Sequence, residues 1–130
     1  MATQVKPTGK AAATKAKATN SVLFIGVNIK DQAKDKEFNE WYNKEHLMDV
    51  LSTGVYHRAT RWQNTNPQPG IPKYIAFYET ERTDPDAART DMSKGMEEMR
   101  RTGKGGHVHE TLERVVAGNF KLCGSLDAGK

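Results

Sequence analysis

"FNEWYNKEHLMDVLSTGVYHRATRW", residues 38–62, decides the reading of the chain. It holds both tryptophans, two of the four tyrosines and two of the four histidines. Apolar residues at 38, 41, 42, 48 and 51 follow the helical period roughly, and Gly54 supplies the stop that a helix end favours. The spacing therefore predicts a helix, with Asp35 as its cap and residues 36–52 as its body. Beyond Gly54 the pattern changes to alternation. Val55, His57, Ala59 and Arg61 fall on one side, and Tyr56, Arg58, Thr60 and Trp62 on the other, which is the signature of a strand with two polar-capable faces.

Upstream, SVLFIGVNIK (residues 21–30) is an apolar, β-branched run that suits a buried strand. Downstream, NTNPQPGIP is a loop of breaker residues and KYIAFYETE (residues 73–81) is the next strand. The stretch "TDPD" at residues 83–86 offers Thr83 or Asp84 as a cap and a proline in the first turn of a second helix, residues 86–102. Gly95 weakens that helix, and Gly103, Gly105 and Gly106 end it. A last strand follows over residues 112–122. The order strand, helix, strand, strand, helix, strand is α+β: a ferredoxin-like βαββαβ arrangement, a four-stranded antiparallel sheet with both helices on one face. The other sheet face then needs a cover, and a second copy of the chain is the cheapest one.

The chain has 130 residues, enough for one domain with a sizeable core. Its net charge of +4 comes from the first 20 residues, where Lys6, Lys10, Lys15 and Lys17 stand without an acidic residue. Residues 21–130 hold as many basic as acidic residues, so no electrostatic footprint for a phosphate backbone is built into the domain. Residues 1–20 read as a flexible Lys/Ala/Thr-rich tail, residues 21–122 as the domain and 123–130 as a C-terminal tail. No apolar run approaches the ~20 residues of a membrane span. The expectations are a cytoplasmic protein, no nucleic-acid partner and no membrane partner. The single cysteine, Cys123, excludes an intrachain disulfide and a cysteine-rich zinc site.

The element order, the Trp41-x4-His46 motif followed by Leu47, the "TGVYHRATRW" segment and the closing "GNFKL" resemble the dimeric α/β barrel superfamily and, within it, the EthD-like branch. The likeness covers residues 21–122. It departs from the pattern after His46, where many relatives carry a small residue and a proline and this chain has Leu47, Met48 and Asp49. The resemblance implies a homodimer whose two sheets pair into a barrel, with a small-molecule pocket between helices and sheet in each subunit. It also implies several chemistries, among them cofactor-free oxygenation, haem binding, polyketide cyclisation and lyase reactions, and fold does not choose among them.

His46 is the candidate catalytic residue, because an imidazole on a helix facing an apolar pocket can move a proton near neutral pH. The opposing reading is a structural histidine satisfied by a backbone carbonyl or by the arginine-bearing strand. Helical spacing sets Tyr42 beside His46 and Trp41 beside Glu45, so Trp41, Tyr42 and Glu45 are candidate substrate-binding residues. Arg58 or Arg61, depending on which strand face turns inward, could meet a carboxylate or enolate, and Tyr78 could donate to a carbonyl. "GGHVHE" at residues 105–110 sets His107 and His109 on one side of an extended segment, but a glycine-rich loop lacks the rigidity of a metal site, and no metal is expected. Met92, Met96 and Met99 form a helix face suited to core packing or to an adaptable pocket wall. No phosphate loop or nucleophile elbow occurs. The sequence thus reads as a small-molecule pocket protein acting without a cofactor on an apolar, aromatic or polyketide-like substrate, as a cyclase, dehydratase, isomerase or lyase. The rival readings are a non-catalytic ligand-binding or stress-responsive protein and a haem-binding monooxygenase.

Overall fold

The computed structural model describes residues 16–129, so most of the expected N-terminal tail lies outside the described residues. Four strands, β1 (Ser21–Ile29), β2 (Arg58–Gln63), β3 (Tyr74–Thr80) and β4 (Leu112–Lys121), form one antiparallel sheet in the order β2-β3-β1-β4. One helical segment joins β1 to β2, a second joins β3 to β4, and the result is the ferredoxin-like α+β fold. The interleaved order follows from the two crossovers: the first carries the chain from β1 to the parallel β2 and the second from β3 to the parallel β4, each leaving room for one antiparallel strand between the pair it joins.

The first helical segment runs without a break through α1 (Asp35–Trp41), a π turn (Tyr42–His46) and α2 (Leu47–Ser52). Asp35 is not its cap. Asp31 caps a preceding 3-10 turn by accepting from the Ala33 amide, while the Asp35 carboxylate receives Tyr74 Oη at 2.8 Å and Lys73 Nζ at 3.1 Å. That contact fastens the start of α1 to the start of β3. The second helix, α3 (Pro85–Arg101), opens as its sequence predicts, with Asp84 accepting from the Asp86 and Ala87 amides and Pro85 in the first turn. Gly95 sits inside α3 because α2 ends against it: a Cβ there would lie 2.8 Å from Thr53 Cγ2.

Alternation assigns the two sheet faces. Leu23, Val27 and Ile29 of β1 and Tyr74, Ala76 and Tyr78 of β3 are buried under the helices. Phe38, Tyr42, Val50, Ala88 and Met96 pack onto them from the helical side. Each such side chain contributes on the order of 1–3 kcal/mol by leaving water. The opposite face carries Val22, Phe24, Ile75 and Phe77 with Trp62, Val116 and Phe120, and no element of the described chain covers it. Phe24 meets Phe77 at 5.4 Å and Phe120 at 6.2 Å between ring centroids, so the outer face is a continuous aromatic surface.

Residues just before Ser21 are bonded to the sheet. Asn20 donates its amide to Thr80 and accepts from Leu122, and Thr19 Oγ1 donates to Glu79 at 2.7 Å. No helix of the described residues is long and apolar enough to cross a membrane.

Candidate active-site cavity

A cavity of about 480 Å³ lies between the helices and the β1-β4 side of the sheet. Its floor is apolar and comes from Leu23, Ile25 and Val27 of β1, Val50 of α2, and Met92 and Met96 one turn apart on α3. Three polar groups reach it from the floor: Tyr42, Tyr78 and His46. Ser93, Arg100, Val108 and Arg114, all exposed, form its rim. The loop that carries Val108 is pinned there, because the Gly106 amide donates to Asp49 Oδ2 at 2.9 Å and Arg100 Nη1 donates to the Gly106 carbonyl at 3.0 Å.

The π turn sets the aromatic geometry. Its i→i+5 pattern, seen in the Leu47 amide donating to the Tyr42 carbonyl, brings residues five apart onto one face. Trp41 therefore stacks on His46, ring centroids 4.8 Å apart and 27° between planes, instead of neighbouring Glu45. Tyr42 meets the same imidazole edge-on at 4.8 Å. Held between two aromatic rings, His46 loses much of its hydration. Burial pulls its pKa down to about 4 and Arg61 adds to this, while Asp49 acts against both. The imidazole is neutral at physiological pH. Its Nδ1 is enclosed and has no hydrogen-bond partner among the described residues, an arrangement that costs about 1–3 kcal/mol. A histidine kept as a structural hydrogen-bonding post would have that atom satisfied.

Tyr42 and Tyr78 lie with hydroxyl oxygens 3.2 Å apart. Burial raises both pKa values, that of Tyr78 well above the usual phenol range. Two hydroxyls share one hydrogen bond, so one O–H remains to donate to a ligand whichever way the pair is oriented. Arg61 stands behind this pair. Its guanidinium carbon lies 4.1 Å from the Tyr42 ring centroid and 5.0 Å from that of Tyr74. Nη1 donates to Asn43 Oδ1 at 2.9 Å, and Nη2 is enclosed without a partner among the described residues.

The structure thus brings His46, Tyr42 and Tyr78 together in the cavity wall, with Trp41 and Arg61 one layer behind. Glu45 is exposed and takes no part in the wall. Arg58 does not approach the cavity: cross-strand pairing turns Ala59 and Arg61 toward the helices and Arg58, Thr60 and Trp62 outward, where Arg58 lies 3.6 Å from Glu79. Strand alternation alone left that choice open.

His107 and His109 do not share a side. His109 turns in under α1, with Nε2 on Glu37, Nδ1 accepting from the Thr111 amide and its ring edge-on to Phe38, whereas His107 is exposed. Met92 and Met96 line the cavity and Met99 packs beside the core. The rim arginines, Arg100 and Arg114, carried no signal in a helix-end and strand reading. The one available hint was the Val115-Val116 doublet, which interrupts the alternation of β4.

No protein-family model matches the chain. Over 44 residues, 34% of the chain, the sequence is 39% identical to core atranone cluster (CAC) protein 1 of Stachybotrys chlorohalonatus (strain IBT 40285), and the matched stretch is 18% of that protein's length. The fold is similar to HapK from Hahella chejuensis, with a TM-score of 0.56 and 15% identity over 85% of this chain and 99% of that one. It is also similar to a candidate monooxygenase from Shewanella loihica PV-4, with a TM-score of 0.52 and 14% identity over 83% and 99% of the two chains. At such identities the likeness concerns the fold alone.

Proposed function

We propose that the chain is a small-molecule enzyme of the EthD-like kind that moves a proton on an apolar, aromatic or polyketide-like substrate, in a cyclase, dehydratase, isomerase or lyase reaction. The observation that supports it is the setting of His46: a neutral imidazole in the wall of an apolar cavity, stacked on Trp41 and edge-on to Tyr42. The match to a protein named for an atranone cluster is in keeping with work on a small organic molecule.

In this reading His46 takes a proton from a carbon beside a carbonyl. The free O–H of the Tyr42-Tyr78 pair donates to the oxygen as negative charge develops there. A pKa near 4 in the free protein makes His46 a reluctant base until an enolate forms beside it, when the new negative charge stabilises the imidazolium. The same imidazole then returns the proton to another atom, which completes an isomerisation or an elimination. Trp41 fixes the ring orientation, and Arg61 holds positive charge behind Tyr42.

We also propose that the outer sheet face pairs with that of a second copy. Trp62 and Phe120 are more than half exposed on it, beside Phe24 and Phe77. A panel of small aromatic and polyketide-like compounds, assayed for turnover and thermal shift with wild type and His46→Gln, tests the catalytic reading. Turnover lost in a folded variant supports it; turnover retained refutes the role of His46.

A further inference from the structure

The sequence of β4 is read differently on the two sides of a bulge. From Phe120 back to Val116 it alternates strictly, and Phe120, Gly118 and Val116 pair with Val22, Phe24 and Gly26 on the outer face. The register then shifts between Gly26 and Val27. Val115 becomes the extra residue, and Arg114 pairs with Val27, whose side chain lines the cavity. Without the extra residue Val115 would face the cavity and Arg114 would stand on the outer face beside the aromatic surface. Bulges beside functional sites re-aim side chains in this way.

What the bulge delivers is a second guanidinium to a cavity that already has Arg100. The lining contains no aspartate or glutamate, and neither arginine belongs to an ion pair among the described residues. The domain as a whole is balanced in charge, so two unmatched cations on one rim are a local feature rather than a consequence of composition. A guanidinium fork bordered by Val27, Leu112 and Val108 matches a carboxylate, which can accept two parallel N–H donors.

Resting on the pocket reading above, we propose that the cavity's ligand is a small apolar acid whose carboxylate is held at the rim by Arg114 together with Arg100, leaving its apolar body against β1 and its reacting carbon toward His46. Arg114 is then the specificity residue of the site, and Arg61, behind Tyr42, is not the anion partner.

The probes are 2-naphthoate and the uncharged 2-naphthamide, titrated by calorimetry into wild type, Arg114→Met, the Arg100→Met/Arg114→Met double variant and Arg58→Met. Arg58 lies on the opposite sheet face and controls for net charge. Wild type and Arg58→Met should prefer the acid by about tenfold, the scale of one charge-assisted hydrogen bond. Arg114→Met should lose most of that preference with naphthamide affinity unchanged, and the double variant should lose all of it, read as the ratio of acid to amide affinity because Arg100 also pins the Val108 loop. Equal binding of the two probes by wild type, or a preference that survives in the double variant, overturns the carboxylate assignment while leaving the pocket reading intact. Binding of neither probe overturns both.

Discussion

Trp41 and His46 stack face to face at 4.8 Å although they lie five positions apart. An uninterrupted α-helix would turn them away from each other, since residues three and four apart share its faces. The π turn over Tyr42–His46 is therefore what aims the imidazole into the cavity. Ring stacking of this closeness has a spectroscopic consequence. The His46 ring protons should resonate well upfield of those of the exposed His107, and Trp41→Leu should return them to ordinary positions. Unshifted His46 protons in the wild-type proton spectrum would contradict the π-turn geometry.

The neutral state of His46 links folding to pH. Its pKa is about 4 in the fold against 6.5 for the free side chain, so below pH 6.5 the unfolded chain binds a proton that the folded chain does not. The contribution is fully present above 6.5, declines as pH falls and is gone below about 4, a loss on the order of 3 kcal/mol. Urea midpoints at pH 7 and pH 4.5 should differ less for His46→Gln than for wild type. An equal pH dependence in the two proteins would show that His46 titrates normally in the fold.

The proposed homodimer rests on the outer aromatic face, where Trp62 is 57% and Phe120 54% exposed. Light scattering at micromolar concentration should give twice the chain mass for wild type and the single-chain mass for the Trp62→Glu/Phe120→Glu double variant. A monomeric wild type would remove the second copy as the cover of this face.

Gly95 separates helix propensity from packing. Replacing an interior helical glycine usually gains up to about 1 kcal/mol. Here a Cβ would meet Thr53 at 2.8–2.9 Å, so Gly95→Val should destabilise by roughly 1–3 kcal/mol despite that gain. A higher melting temperature would mean that α2 and α3 can separate without cost.

The sequence carried the architecture because burial enforces period. Ser21–Ile29 and Tyr74–Thr80 alternate or run apolar where one face meets the helices, and Asp84 with Pro85 marks the start of α3. His46, Tyr42 and Tyr78 were legible as residues of a pocket wall. Three features were not. The π turn leaves no mark that a 3.6-residue period detects, so helical spacing pairs Trp41 with Glu45 where the fold pairs it with His46. β2 has aromatic and charged residues on both faces, and only its pairing with β3 separates Arg61 from Arg58. The bulge in β4 reverses the facing of Arg114 with a single extra residue, and no local propensity encodes it.

Proton transfer between a neutral His46 and a carbon acid in the cavity is visible as isotope exchange. Its most direct test is the rate at which 2-acetylcyclohexanone, an apolar 1,3-diketone, exchanges its α-proton in D2O, followed by NMR with wild type and with His46→Gln. Wild type should accelerate exchange, and a folded His46→Gln protein should fall to the buffer rate. Equal acceleration by the two proteins would contradict this transfer and leave His46 as part of the scaffold.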